Sequence, residues 1–308
     1  MTQITASLVK ELRECTGAGM MDCKKALTEC NADLELAVDW LRKKGLSAAA
    51  KKSDRVAAEG LVGIKEGENV GVLIEVNAET DFVGRNEQFQ NYVTCLASSA
   101  LKNGQSMDAL LDAPFDGDTG RSNQAELTHL ISVIGENMTA RRVKRLEVSS
   151  GLVSGYVHNA VGTNLGRIGV IVALKSSGDV SKLKDLGRKI AMHIAATNPQ
   201  ALSIEDLDSA LVEREKNVLM DQARSSGKPE AVIEKMIAGR LRKFYEEVVL
   251  LEQSFIMDPD KKVKDVVSDV AKELGTAVHF SAYACFKLGE GIEKKEDDFA
   301  SEVSSLAK

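Results

Sequence analysis

The sequence is poor in aromatic residues, which make up 4% of its 308 residues and include one Trp and four Tyr. A surface that stacks nucleobases needs several aromatic side chains, so this scarcity argues against a base-stacking protein. Positive charge is also in short supply: 40 basic residues against 46 acidic ones leave a formal net charge of −6, which disfavours a basic nucleic-acid coat. The four prolines suggest long uninterrupted elements.

Long hydrophobic runs and paired cysteines are missing as well. No apolar run approaches the roughly 20 residues that a membrane-spanning helix needs, and the charged N-terminus does not have the pattern of a secretory signal. The five cysteines are an odd number and show no CxxC spacing. We therefore expect reduced thiols in a cytoplasmic protein without a membrane partner.

The common catalytic motifs are absent. The sequence has no GxxxxGK[ST] phosphate loop, no HExxH zinc motif and no GxSxG nucleophile elbow. The four histidines are scattered without the spacing of metal ligands, and we interpret His193 as a core histidine on a buried helix face. The sequence thus predicts no catalytic residue, no metal site and no cofactor.

Three short amphipathic helices are predicted near the N-terminus. The first would be capped by Thr5 or Ser7, and the second would run from Met20 to about Glu29. The third is expected to end at Lys43-Lys44-Gly45, because lysines in a last turn and a following glycine are common C-terminal signals.

A strand–strand–helix pattern then occurs twice. Each copy begins with the letters GLV, and the second strands start at Val70 and Ile168, which are 98 residues apart. The same offset places Asp179 opposite Asp81. An internal duplication is the simplest explanation. Between the copies we predict a helical segment, 124–145, whose basic end, Arg141–Arg145, is either a solvated helix end or a patch that a nucleic-acid adaptor would use.

Residues 203–251 are predicted to form an antiparallel helical hairpin, a short coiled coil that protrudes from the body. In its second arm, hydrophobic residues recur at spacings of three and four, at positions 233, 237, 241, 244, 248 and 251. The first arm places Ile204, Leu207, Leu211 and Val218 on a comparable seam. The segment Ser225–Pro229 between the arms is typical of a loop.

Strand-like sequence resumes at Ser254–Met257 and again at Ala277–Phe286. The charged tail that follows carries a helical stripe of Phe299, Val303 and Leu306.

One junction allows two interpretations. The sequence Thr80-Asp81-Phe82-Val83 follows the second strand of the first copy, where a helix cap belongs, so Thr80 or Asp81 could cap the next helix. Alternatively, the apolar residues directly after Asp81 could form a wedge on an exposed corner, since single large apolar residues on loops often anchor one protein to another.

Together these features resemble the bacterial translation elongation factor Ts family, the guanine-nucleotide exchange factors of elongation factor Tu. The segments that carry the resemblance are TGAGMMDCKKAL at 16–27, TDFV at 80–83, IAMHIAA at 190–196, FIMDP at 255–259 and GEGIEK at 289–294. They occur in the family's order along almost the whole chain. Gly84-Arg85 after TDFV is a mild variation.

The resemblance implies an α+β fold with an N-terminal three-helix domain similar to ubiquitin-associated (UBA-like) domains, a duplicated core with antiparallel strands, a protruding coiled-coil hairpin and a short C-terminal helical module. The corresponding divisions are 1–54 for the helical domain, 55–145 for the first core half, 146–202 with 252–286 for the second half, 203–251 for the hairpin and 287–308 for the C-terminal module.

The resemblance also implies the partner contacts. The TDFV residues Thr80, Asp81, Phe82 and Val83 would meet the nucleotide-binding domain of elongation factor Tu near its magnesium site, and Phe82 would act as a wedge. Lys24 matches a contact with the same domain, and His158 matches a histidine that works beside the phenylalanine. Ile256 and Met257 match contacts with the third domain of the partner.

Two other classes of function remain open on the residues alone. A UBA-like scaffold or adaptor would bind another translation component without exchange activity. An enzyme could use His158 with an acidic partner as a general base, although no motif for a small-molecule site accompanies it. Binding of elongation factor Tu, without direct nucleic-acid binding, is the expectation.

Overall fold

The computed structural model describes residues 4–103, 106–117, 119–224 and 230–293. Its helices are α1 (Ala6–Thr16), α2 (Met20–Glu29), α3 (Leu34–Ala50), α4 (Glu87–Asn103), α5 (Met107–Asp112), α6 (Asn123–Ile134), α7 (Val180–Thr197), α8 (Ser209–Arg224), α9 (Glu230–Val248) and α10 (Val263–Leu274). Its strands are β1 (Glu59–Glu66), β2 (Val70–Ala78), β3 (Met138–Glu147), β4 (Gly151–His158), β5 (Leu165–Gly166), β6 (Ile168–Lys175), β7 (Ser254–Phe255), β8 (Asp258–Lys262) and β9 (His279–Lys287). The strand pairs are antiparallel, and this mixed content confirms the α+β class.

The N-terminal helices α1 to α3 pack around Leu12, Cys23 and Leu27, which are buried. Thr5 caps α1 by accepting a hydrogen bond from the Leu8 amide at 3.2 Å. The predicted end of the third helix is wrong, because α3 continues through Gly45 to Ala50. Gly45 is buried, and a Cβ there would lie 3.3 Å from the Ser132 side chain on α6, so this glycine allows two helices to approach rather than ending one.

Two sheets form the core. One has the strand order β3-β2-β1-β5 with α4 packed on it, and the other has the order β4-β6-β9 with α7 packed on it. The remaining faces of the sheets pack on each other through buried aliphatic residues that include Val62, Leu73 and Ile171. Because both faces of the sheets are covered, the inner strands β2 and β6 are buried along most of their length.

The two copies agree in detail. Gly60, the second residue of β1, and Gly151, the first residue of β4, have φ of +117° and +121°. A Cβ at either glycine would lie within 2.3 Å of a carbonyl oxygen of the neighbouring strand, that of Val76 or Leu174, and these two residues are again 98 apart. The pairing of β2 with β3 shifts register between Glu75 and Val76. The pairing of β6 with β9 shifts at the equivalent place, between Ala173 and Leu174. These matches support the predicted duplication.

The predicted helix over 124–145 is only half right. α6 ends at Ile134, where Gly135 adopts a left-handed conformation, and the basic cluster lies on strand β3 beside β2. Arg141 and Arg142 both bind the carboxylate of Glu75, a fully buried side chain on β2. Two residues of the basic cluster therefore pair with a buried carboxylate, and the cluster is not the solvated end of a helix.

Helices α8 and α9 form the predicted pair. The start of α8 and the end of α9 share one cluster, with Leu211 beside Phe244 and Val248, while Gln222 near the end of α8 accepts a hydrogen bond from Arg240 at 2.8 Å. This pairing makes the helices antiparallel. The predicted seam of the first arm is wrong at Ile204 and Val218, which are exposed. Ile204 lies in a 3-10 turn before α8, and beside Val218 the buried residue is Leu219.

The predicted loop at 225–229 and the stripe of Phe299, Val303 and Leu306 lie outside the described residues. No helix among the described residues combines the length and the apolar character needed to cross a membrane.

Candidate partner-binding surface

The segment 80–86, called the Phe82 corner, follows strand β2 and is held in place by hydrogen bonds. The backbone amide of Thr80 donates a hydrogen bond to Glu136 at 2.9 Å, and the Thr80 hydroxyl donates to the other oxygen of the same carboxylate at 2.7 Å. Glu136 lies in the loop between α6 and β3, so the corner is tied to a second segment of the chain. The amides of Gly84, Arg85 and Asn86 then close a short 3-10 turn by donating to the carbonyl oxygens of residues 81–83.

The side chains of the corner divide between core and solvent. Val83 is buried in the first core half with Phe89 and Leu61, whereas 75% of the Phe82 side chain and backbone surface is exposed. Asp81 is exposed as well. The wedge expected from the sequence is thus reduced to one protruding residue, because the neighbouring valine anchors the turn.

Helix α4 is capped by a residue that the sequence analysis overlooked. The Asn86 side-chain oxygen accepts hydrogen bonds from the amides of Gln88 at 2.9 Å and Phe89 at 3.1 Å. The hypothesis that Thr80 or Asp81 caps this helix is therefore wrong. The signal was present in the sequence, since Asn is among the best N-cap residues and directly precedes the helical pattern.

The loop after His158 lies beside the corner. Gln90 on α4 donates a hydrogen bond to the Gly84 carbonyl at 2.9 Å, and a Cβ on Gly162 would lie 3.6 Å from the same Gln90 side chain. His158 itself is exposed at the end of β4, with its Nδ1 atom 3.1 Å from the Tyr156 hydroxyl. The structure therefore brings the segment of His158 toward the Phe82 corner.

That loop contributes an apolar residue that sequence reasoning missed. Val161 is 46% exposed and lies between the turn-forming residues Asn159 and Asn164, both of which have positive φ. A lone valine between residues that favour left-handed turns is a weak signal, and it identifies a loop more readily than a contact.

A second apolar turn projects from the other core half. Ile256 and Met257 are 44% and 42% exposed at the turn between β7 and β8, so they do not continue the strand predicted over 254–257. Phe255 before them is buried. Met257 also borders a groove of about 480 Å³ between α7, the β7–β8 turn and α10.

Lys24 belongs to a third, separate surface on α2. It is exposed, and the exposed Met20 and Met21 lie one turn earlier on the same helix. The N-terminal helices α1 to α3 pack on α6, since a Cβ on Gly17 would lie 3.7 Å from the His129 ring. Lys24 and the Ile256–Met257 turn therefore sit on different elements from the Phe82 corner.

The described residues contain no group of three or more His, Cys, Asp or Glu side chains that could hold a metal ion. All five cysteines lie in the described ranges as free thiols. His193 is buried, as predicted, and burial lowers its pKa below the ordinary histidine value.

Comparison with known proteins gives a consistent family. The family described as "Elongation factor TS" matches residues 79–290. The chain is 58% identical to elongation factor Ts of Rhodospirillum centenum and 55% identical to that of Rhodospirillum rubrum, with all of both chains covered in each case. It is 56% identical to elongation factor Ts of Caulobacter vibrioides, with 99% of each chain covered.

Proposed function

The chain belongs to the elongation factor Ts family of translation elongation factors, and from this premise we propose that it binds elongation factor Tu in its GDP form and accelerates GDP release. The protein would act as an exchange factor in the cytoplasm and carry out no catalytic chemistry of its own. GTP, which is in excess in the cell, then refills the emptied site.

The observation that carries the proposal is the exposed Phe82 on its clamped corner. Burial of an exposed phenylalanine by a partner stabilises the complex by about 25 cal/mol for each Å² of apolar surface removed from water. Because Glu136 and the 3-10 turn already fix the corner, little conformational entropy is lost on binding. A rigid apolar projection of this kind suits insertion between packed elements of another protein.

The mechanism follows from thermodynamic linkage. A factor that lowers the affinity of Tu for GDP must itself bind GDP-loaded Tu less tightly than empty Tu, by the same factor. GTPases hold the phosphates through phosphate-loop amides and a magnesium ion. We propose that Phe82 wedges into the nucleotide-binding domain of Tu and displaces the groups that order this ion, which leaves the phosphate charge poorly compensated.

The other surfaces supply binding energy for that displacement. Each tenfold loss of GDP affinity requires about 1.4 kcal/mol of interaction elsewhere, so a broad interface is needed. Lys24 on the UBA-like helices would contact the nucleotide-binding domain, and His158 would act beside Phe82. Ile256 and Met257 would bind the third domain of Tu, while the α8–α9 coiled coil has no assigned role.

A GDP-release assay tests the proposal. Purified Tu loaded with fluorescent GDP is mixed with excess unlabelled GDP, with and without this protein, in a stopped-flow instrument. We expect GDP release to be faster when the protein is present. Binding to Tu without faster release would overturn the exchange proposal and favour the adaptor. Loss of free basic charge at Arg141 and Arg142 argues against an adaptor that uses that cluster.

A further inference from the structure

A buried histidine connects helix α7 to the Ile256–Met257 turn. The Nε2 atom of His193 lies 2.9 Å from the side-chain oxygen of Gln253, and its Nδ1 atom lies 3.3 Å from the backbone nitrogen of Ile256. His193 is fully buried, and its ring packs against Phe255 with 5.6 Å between the ring centroids. The ring therefore lies directly beneath the turn.

The hydrogen bonds determine the state of the ring. Gln253 donates its side-chain amide to the Glu247 carbonyl at 2.7 Å, which directs its oxygen toward His193. This oxygen can only accept, so Nε2 of His193 carries the proton and Nδ1 keeps a lone pair for the Ile256 amide. Only the neutral ring with its proton on Nε2 satisfies both neighbours, and burial favours the neutral form.

Besides the buried Phe255, a short strand pairing supports the turn. β7 contains two residues, and its pairing with β8 shifts register between Ser254 and Phe255. Two apolar side chains at an exposed turn bind a partner well only if the backbone beneath them is already fixed, since ordering a loop costs affinity. The contact between Ile256 and His193 supplies a fixed point at the first residue of the turn.

We propose that His193 is a positioning residue for the partner: through its Nδ1 atom it holds the Ile256–Met257 turn in the conformation that elongation factor Tu binds. The inference rests on the proposed function, in which these two side chains contact Tu. It assigns a purpose to the histidine of the IAMHIAA segment beyond filling the core.

Two substitutions separate positioning from packing. In His193→Asn, the side-chain oxygen can occupy the place of Nδ1 and accept from Ile256. In His193→Gln, the side-chain nitrogen can occupy the place of Nε2 and donate to Gln253, but the acceptor for Ile256 is lost. Both variants shorten or reshape a buried side chain, so a purely structural role predicts similar losses of stability and similar binding.

The experiment measures the affinity of the full chain for purified Tu by calorimetry, together with hydrogen exchange at the Ile256 amide. We expect His193→Gln to weaken binding about tenfold and to speed exchange at Ile256, while His193→Asn stays within about twofold of the parent. Equal affinities and equal amide exchange in the two variants would overturn the inference.

The double variant Ile256→Ala with Met257→Ala separates the positioning role of His193 from the proposed contact of the turn with Tu. If it weakens binding but the two His193 variants behave alike, only the positioning inference fails. If it binds Tu as tightly as the parent, the proposed contact of the turn fails and the positioning role falls with it, while GDP release measured in the same samples still reports on exchange through Phe82.

Discussion

The two core halves share a backbone plan but differ where the second strand meets the helix. In the second half, Asp179 caps α7 by accepting from the Lys182 amide at 3.0 Å, and α7 begins with Val180, which is 63% exposed. In the first half, the equivalent residues are Asp81 and Phe82, but a 3-10 turn and a separate cap, Asn86, stand between them and α4. The extra turn frees Asp81 from capping and sets Phe82 on a corner of its own.

The comparison shows that aligned residues in a duplicated fold need not share a role. Val180 belongs to the first turn of α7, and its side chain is shorter than that of a phenylalanine. Phe82 is larger, and Glu136 and the buried Val83 hold its corner from two sides. We therefore expect partner function from Phe82 and not from Val180.

A second difference lies inside the sheets. Glu75 on β2 is fully buried between Arg141 and Arg142, and it also accepts a hydrogen bond from the Gly289 amide at 2.8 Å. The residue 98 positions later, Ala173, is buried among aliphatic neighbours. The first half thus uses a buried carboxylate to attach the segment after β9, whereas the second half has an aliphatic side chain at the equivalent position.

Replacing Glu75 should have the largest effect on stability. Glu75→Gln removes the charge that both arginines require, and breaking a buried ion pair on one side costs about 3 kcal/mol of unfolding free energy. Urea unfolding followed by circular dichroism measures the loss. The exposed Glu68 serves as a matched control, and Glu68→Gln should stay within about 0.5 kcal/mol. Equal behaviour of the two variants would show that the buried cluster contributes nothing.

The capping difference can be tested with three alanine substitutions. Asn86→Ala and Asp179→Ala should each lower the unfolding free energy by about 1 kcal/mol, because each removes the side chain that caps a helix. Asp81→Ala should change it by less than about 0.5 kcal/mol and slow GDP release from Tu instead. A destabilised Asp81→Ala protein would mean that the halves are more alike than the structure indicates.

The smallest expected effects concern pH. Burial lowers the pKa of His193 from its ordinary 6.5, so its contribution to stability is present above about pH 6.5 and is lost as the pH falls. At the equivalent position of α4, burial and then the Asp116 carboxylate raise the pKa of Cys95 from 9.0, so its contribution is present below about pH 9 and is lost as the pH rises.

Unfolding free energies should therefore decline at both ends of this pH range. His193→Asn should reduce the decline on the acid side, leaving the contribution of His129, whose pKa burial also lowers. Cys95→Ser should reduce the decline on the alkaline side, where Cys23 and Cys285 still contribute because burial raises the pKa of both thiols. If neither variant alters its own side of the profile, the buried groups do not titrate as the geometry implies.

Much of the fold could be predicted from local periodicity. Helix α2 has the bounds expected from its pattern, and the strands β1, β2, β4 and β6 lie where alternating or continuous apolar residues place them. The predictions of secondary structure were wrong where the local conformation is accompanied by contacts with residues distant in the sequence. Helix α3 continues through Gly45, which is buried against Ser132 on α6. Arg141 and Arg142 lie on a strand beside the buried Glu75, which local pattern cannot show.

The candidate site was predictable only as a choice between two interpretations. The letters around Asp81 allowed a cap or a wedge, and the choice depends on Asn86 taking the cap and Val83 entering the core. Ile256 and Met257 came from resemblance alone, since their sequence favours a strand. Their exposure follows from the tight β7–β8 turn, whose first residue, Ile256, donates a hydrogen bond to His193 on α7, a contact between distant segments that local pattern cannot show.

The central claim is that Phe82 accelerates GDP release and that its counterpart Val180 does not. GDP release from Tu should be measured by stopped flow with Phe82→Ala, with Val180→Ala as the matched control, after unfolding experiments establish that both variants keep their stability. We predict that Phe82→Ala loses about 30-fold of the acceleration, the size expected for a main anchor residue, and that Val180→Ala stays within about twofold of the parent. An unchanged release rate with Phe82→Ala would contradict the account.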